Sequence, residues 1–172
     1  DLYHFKNNPT KIQSFFMYLK IILLIIIVET VIAVPIVSGN VHIFRQLELA
    51  AKAFFTNDTE SACILGAGYR DGAMGEEKFQ PDERLSVYWY EWAAGHGDVF
   101  AMYEYADMLR KGIAIKQDIP KAIFYYEQAI EKGSSEAMND LGCLYSDGIY
   151  VEQDLDLAYY YFERAAGAGL PK

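Results

Sequence analysis

The sequence predicts an all-α fold, a right-handed α–α superhelix (solenoid) of about three 36-residue helix–turn–helix repeats. Three observations lead there. Ala101, Gly112, Asp118, Ala122, Ala129 and Gly133 recur as Ala137, Gly148, Asp154, Ala158, Ala165 and Gly169, every pair 36 residues apart. An earlier copy stands in the same register, with Asp82, Trp89, Ala93 and Gly97 each 36 residues before Asp118, Tyr125, Ala129 and Gly133. Within a unit, two runs of apolar residues at helical spacing are separated by a glycine and then an aspartate, the signals for helix stop and helix start.

At the N-terminal end, residues 1–16 are read as a flexible extension or upstream read-through before Met17. Ile21 to Val28 is an uninterrupted apolar run of eight residues between Lys20 and Glu29, shorter than the roughly 20 residues a membrane span needs. Met17 to Ala33 has a weakly cationic start, an apolar centre and a Val31-Ile32-Ala33 end, the pattern of a secretory signal peptide. The other reading is an uncleaved anchor over Phe15 to Val37. It places Lys20 and Glu29 in the bilayer, and a charge near the middle of such a helix costs about 2.5–3.5 kcal/mol. Both readings export the rest of the chain, and membrane contact is expected only through residues 17–37 if the signal is uncleaved. Removing residues 1–33 takes away Lys6, Lys11, Lys20, Asp1 and Glu29, leaving 139 residues with 12 basic and 22 acidic side chains, a net of −10.

Residues 34–60 form a lead-in. Within it, His42 to Phe55 is predicted to be a capping helix with Ile43, Leu47, Ala50, Ala51 and Phe54 on one side. Residues 61–172 carry the repeats, at about 61–97, 98–133 and 134–169. The first copy has Leu65-Gly66, Tyr69 and Gly72 four residues upstream of strict register, so the Ala73–Pro81 loop is predicted to hold a four-residue insertion. In the third copy, Ser135 to Asp147 is the first helix and Gly148 ends it. Asp154 caps the second, with Ala158, Tyr161, Phe162 and Ala165 inward. Trp89, Tyr125 and Tyr161 are assigned to the core, and Tyr159 and Tyr160 to the outer surface. After Gly169 the chain ends where a fourth unit would open, which predicts a fragment or an end covered by another chain.

Ala137-Met-Asn-Asp-Leu141-Gly142-Cys-Leu-Tyr145-Ser-Asp-Gly148 and Asp118-Ile-Pro-Lys121-Ala122-Ile-Phe-Tyr125 are the residues that resemble the Sel1-like repeat, a relative of the tetratricopeptide repeat. Three positions depart from its pattern: Tyr105-Ala106 replaces Leu-Gly, and Leu157 replaces Lys. The resemblance implies a scaffold for a protein or peptide partner on a concave face built by the first helices, and the Met17–Ala33 pattern makes it an exported one. Tyr103, Asp107 and Arg110, matched by Asn139, Cys143 and Ser146, are the phases predicted to be most exposed there. Tyr103, Asp107, Arg110, Asn139 and Ser146 are therefore the candidate partner-binding residues. Periplasmic relatives serve in envelope assembly, host interaction and the flagellar stator complex; a eukaryotic one would act in the endoplasmic reticulum lumen.

Other chemistries find less support. A net charge of −9 opposes nucleic-acid binding, which needs a basic stripe. His4, His42 and His96 lack zinc spacing, so no metal and no cofactor is predicted. Gly66, Gly68 and Gly72 resemble a phosphate loop, but Gly66 and Gly72 fall on repeat positions. Cys63 and Cys143 are predicted to be unpaired, buried small hydrophobes. The alternative class is a secreted hydrolase or β-lactam-binding enzyme on the same repeats. One branch of the family carries a cysteine pair in every repeat and is linked to β-lactam binding, and those pairs are missing here. No catalytic residue and no enzyme activity is predicted. The acidic, tyrosine-rich domain favours a partner with basic or hydrophobic segments.

Overall fold

The computed structural model describes residues 41–74 and 77–168. The predictions for residues 1–40 and for the segment after Ala168 lie outside them. Seven helices are described: α1 (Val41–Thr56), α2 (Thr59–Asp71), α3 (Glu83–Gly95), α4 (Val99–Lys111), α5 (Ile119–Glu131), α6 (Ser135–Asp147) and α7 (Leu155–Ala168). A two-stranded ribbon, β1 (Ala73–Met74) and β2 (Glu77–Lys78), joins α2 to α3, with Ala73 opposite Lys78 and Met74 opposite Glu77. Among the described helices none is long and apolar enough to cross a membrane.

Short polar side chains start the helices. Asp82 accepts from the Arg84 and Leu85 amides, and Asp98, Asp118, Ser134 and Asp154 from Ala101, Lys121, Ala137 and Leu157 respectively, at 2.9–3.2 Å. Such a cap meets a backbone donor that the helix cannot satisfy itself. The first helix of each later hairpin ends on a left-handed glycine, Gly112 at φ 73° and Gly148 at φ 62°, a conformation that costs glycine nothing. A glutamine then latches each turn: Gln117 Nε2 donates to the Arg110 carbonyl and Gln153 Nε2 to the Ser146 carbonyl, both at 2.7 Å.

These caps divide the chain into hairpins α2–α3, α4–α5 and α6–α7, each packed within itself and then on its sequence neighbours. That nearest-neighbour arrangement is a solenoid. Small residues let the paired helices close up. Ser61, Ala101 and Ala137 on the first helices, and Ser86, Ala122 and Ala158 on the second, are all buried. Ser86 keeps its hydroxyl satisfied there by donating to the Gly66 carbonyl at 2.8 Å.

The core differs from expectation in four respects. Trp89 is buried, but Tyr125 and Tyr161 are half-buried; the fully enclosed rings are Tyr90 and Tyr126, one residue later. Tyr90 lies over Gly66, where an added β-carbon would stand 3.1 Å from the ring, and the repeat-equivalent Phe162 lies over Gly142 at 2.7 Å. The missing side chain on the first helix thus makes the notch that the ring fills. Among the described side chains of α1, which leave out the predicted Ile43, the buried ones are Leu49 and Ala53, while Phe54 is 41% exposed, although it touches the Trp89 and Trp92 rings. Helix α1 has to meet α2 and the ribbon, and Gln46 Nε2 donates to the Lys78 carbonyl at 3.0 Å, which fixes its rotation. Third, the insertion is more than a loop. It delivers Phe79 into the core, edge-on to Tyr69 at 5.2 Å and over Gly68, which has no β-carbon to obstruct it. Finally, both thiols are free, but Cys63 is only half-buried and Cys143 is exposed.

Candidate functional site

The residues predicted to be most exposed on the first helices divide into two groups. Asn139 and Cys143 are exposed, whereas Tyr103, Asp107, Arg110 and Ser146 are half-buried. Tyr103 and Arg110 are long enough to lean onto the second helix behind them, Tyr103 packing 6.2 Å from the Tyr126 ring. Arg110 Nε donates to the Tyr126 hydroxyl at 3.3 Å, and its NH2 group pairs with Asp107 one turn back. Lys111 closes on the other oxygen of Asp107. The Ser146 hydroxyl turns onto its own helix, donating to the Cys143 carbonyl at 3.1 Å.

Three depressions run along α4 and α6. One, of about 400 Å³, lies between Val99, Phe100 and Tyr103 on one side and Lys132, Ser134 and Glu136 on the other. The next, of about 490 Å³, again has Tyr103 and Glu136 and adds Asn139, Asp140 and Phe162. The third, of about 230 Å³, is lined by Arg110, Asp140, Cys143, Leu144, Asp147, Ile149 and Tyr150. Tyr103 and Glu136 belong to the first two, and Asp140 to the last two, so they form one continuous groove. Tyr103, Arg110 and Asn139 therefore come together on it; Asp107 is placed behind Arg110, and Ser146 lines none of the three.

Asp140, Glu136, Ile149 and Tyr150 were not foreseen. Asp140 was legible in principle, since it stands 36 residues after Glu104, which pairs with Arg70. Ile149 and Tyr150 lie in a loop where helical periodicity gives no signal. Burial raises the Asp140 carboxyl above its ordinary range, and Arg110 offsets this only in part. Burial, followed by Asp140, pushes the Tyr103 hydroxyl up to about 12. Burial also raises the Cys143 thiol, with Asp140 and Asp147 adding to it. For Arg110, burial opposes the charge, but its bonds to Tyr126 and Asp107 outweigh that and keep the guanidinium ionised. The groove is thus acidic, with one guanidinium already engaged from within.

Among the described residues no group of three histidine, cysteine or carboxylate side chains is placed to hold a metal ion. His96 stacks on Trp92 at 3.8 Å, and its Nδ1 lies 2.7 Å from the Trp92 carbonyl, so it caps a helix end. Gly66 and Gly72 likewise serve packing and helix termination.

Comparison with known proteins agrees with this architecture. The Sel1 repeat family model matches residues 59–98, 99–134 and 135–170. The first unit is the longer one, and it contains the ribbon. Among solved structures, a Sel1 repeat protein from Oxalobacter formigenes is 30% identical over 70% of this chain and 88% of that one, with a TM-score of 0.60. The protective antigen c5321, present in uropathogenic Escherichia coli strains and displaying an SLR fold, is 25% identical over 71% of this chain and 25% of the antigen, with a TM-score of 0.62. No curated protein matches at a significant level. With three consecutive units matched across most of its length, the chain belongs to the Sel1 repeat family.

Proposed function

We propose that this chain is an exported repeat scaffold that holds a segment of a partner protein along the face made by its first helices, and that it acts by binding. The observation that carries this reading is the continuity of the groove. Of three depressions along α4 and α6, the first two share Tyr103 and Glu136 and the last two share Asp140, a run suited to an extended peptide. Aromatic residues at one end and carboxylates with an arginine at the other supply the mixture of apolar anchor and polar orientation that protein interfaces use. Export rests on the Met17–Ala33 pattern, and the net charge of −9 favours partners with basic segments.

The test is a photo-crosslinking amino acid placed at Asn139, in the groove, and separately at Phe124, exposed on a second helix. In cells of the source, position 139 should trap a defined partner and position 124 should not. Equal trapping from both positions, or trapping only from 124, contradicts the reading. For export, a fused reporter enzyme active only in an oxidising compartment should be active, and cleavage should follow Ala33; a reporter confined to the cytosol contradicts it.

A further inference from the structure

We infer that the cavity between Arg110 and Asp140 is a receptor for a lysine or arginine side chain of the bound partner segment, which deepens the groove reading and rests on it. The repeat itself supplies the precedent. Arg70 and Arg110 occupy equivalent positions on α2 and α4, and Glu104 and Asp140 occupy equivalent positions on α4 and α6. In the first gap, Arg70 bonds through Nε and NH2 to the adjacent Asp71 and through NH1 reaches across the repeat boundary to close an ion pair with Glu104. The fold thus already shows a guanidinium seated on this acid.

In the second gap the same arginine is diverted. Asp107 stands one turn before Arg110, where the first repeat has Ala67, and it draws the guanidinium back along its own helix. The Tyr126 hydroxyl holds it there at 3.3 Å. Among the described residues no ion pair forms to Asp140. A cavity of about 230 Å³ opens where the internal pair would have been. It is too small for the ligands of about 300–1,000 Å³ that fill typical small-molecule pockets, and it suits a single side chain.

Its lining selects the occupant. Asp140 and Asp147 bring two carboxylates, and Asp107 is shared between Arg110 and Lys111, so these five groups keep one negative charge in excess. Leu144, Ile149 and Tyr150 supply an apolar wall, and Ile149 is 73% exposed. A long cationic side chain lays its methylene stem on such a wall and its charged head on the acids. An acidic side chain would add like charge beside Asp140 and Asp147, and a purely apolar one would leave the half-buried Asp140 with the Tyr103 hydroxyl but no ion pair.

Cys143 lines the cavity and is exposed, which provides a direct probe. The full chain is equilibrated with cystamine, with hydroxyethyl disulfide and with dithiodipropionate, which place an ammonium, a hydroxyl or a carboxylate on the Cys143 sulfur. Each exchange releases one molecule of the free thiol. Peptide mass mapping then finds the reductant concentration that strips each cap. The cationic cap should resist at least about threefold more reductant than the neutral one, the scale of one partly exposed charge pair, and the anionic cap should come off first. Asp140→Asn should abolish the preference. Asp107→Ala should abolish it as well, by releasing Arg110 onto Asp140, whereas Glu163→Gln removes one exposed charge elsewhere and should preserve it. Equal resistance of the cationic and neutral caps, or a preference that survives Asp140→Asn or Asp107→Ala, overturns the inference. Trapping at position 139 without a cation preference at Cys143 leaves the groove reading and rejects this one. A cation preference without trapping retains the receptor cavity and rejects the groove reading.

Discussion

The Tyr105 hydroxyl accepts a hydrogen bond from Lys121 Nζ at 2.7 Å and donates one to Glu91. The lysine also lies 5.0 Å from the centre of the Tyr105 ring and 3.2 Å from the Glu91 carboxylate. Two departures from the family pattern become one feature. The first and third repeats place Leu65 with Leu85 and Leu141 with Leu157 at the same pair of positions. Where the first helix carries leucine the second carries leucine, and where it carries tyrosine the second carries the lysine that satisfies it.

The two residues should therefore be energetically coupled. Tyr105→Leu and Lys121→Leu should each destabilise the chain, and the double variant should be more stable than the sum of the two losses predicts. A coupling energy of about 1 kcal/mol is expected for contacting residues in one network. Urea denaturation of the four proteins measures it, and strict additivity would refute the pairing.

Gly142 gives way to the Phe162 ring, and an added β-carbon would stand 2.7 Å from it. Gly142→Ala should cost about 1–3 kcal/mol, the range for overpacking a fitted site. The loss should shrink in a Phe162→Leu background, where the smaller side chain makes room. An undiminished loss in that background would place the strain elsewhere.

Phe79 is buried although it comes from the insertion. Phe79→Ala should cost about 3–5 kcal/mol, as for other buried aromatic truncations. Measured as a denaturation midpoint, a change near zero would mean that the ribbon is an appendage rather than part of the first repeat's core.

Asp140 carries a predicted pH signature. Burial, only partly offset by Arg110, raises its carboxyl above the ordinary range in the folded chain. Asp107 and the Tyr103 hydroxyl also face it, as does Lys111. The folded state holds the proton to higher pH than the unfolded state does. Stability therefore falls as pH rises through that interval, and the deficit persists above it. Asp140→Asn should raise the urea midpoint at pH 7 and leave it unchanged near pH 3, where both states are protonated. A loss of stability at pH 7 would mean that Asp140 is already paired.

Helix boundaries were readable because they depend on single residues with local effects. Asp82, Asp118 and Asp154 start helices by capping, and Gly112 and Gly148 end them by tolerating positive φ. Which of two adjacent rings enters the core was not readable. Trp89 with Tyr125 and Tyr90 with Tyr126 both repeat at 36 residues; Trp89 and Tyr90 are both buried, whereas in the second repeat, which has Ala106 at the Gly66 position, Tyr126 is buried and Tyr125 only half-buried. On α1 no repeat register exists, so its rotation was set by contacts far along the chain, such as that of Gln46 with Lys78.

The groove was partly legible. Position within the repeat placed Tyr103, Arg110 and Asn139 on one face. It could not show that Asp107 captures Arg110, because that depends on a competition between two carboxylates in space. The equivalent arginine, Arg70, meets alanine at that position in the first repeat and pairs with Glu104 across the boundary as well as with the adjacent Asp71.

That competition decides the chemistry of the groove, and a crystal structure of the Asp107→Ala chain tests it most directly. With the competing carboxylate removed, the Arg110 guanidinium should lie within ion-pair distance of Asp140, as Arg70 does with Glu104, and the cavity beside Ile149 and Tyr150 should be filled. An Arg110 still held on Tyr126, with the cavity open, would contradict it.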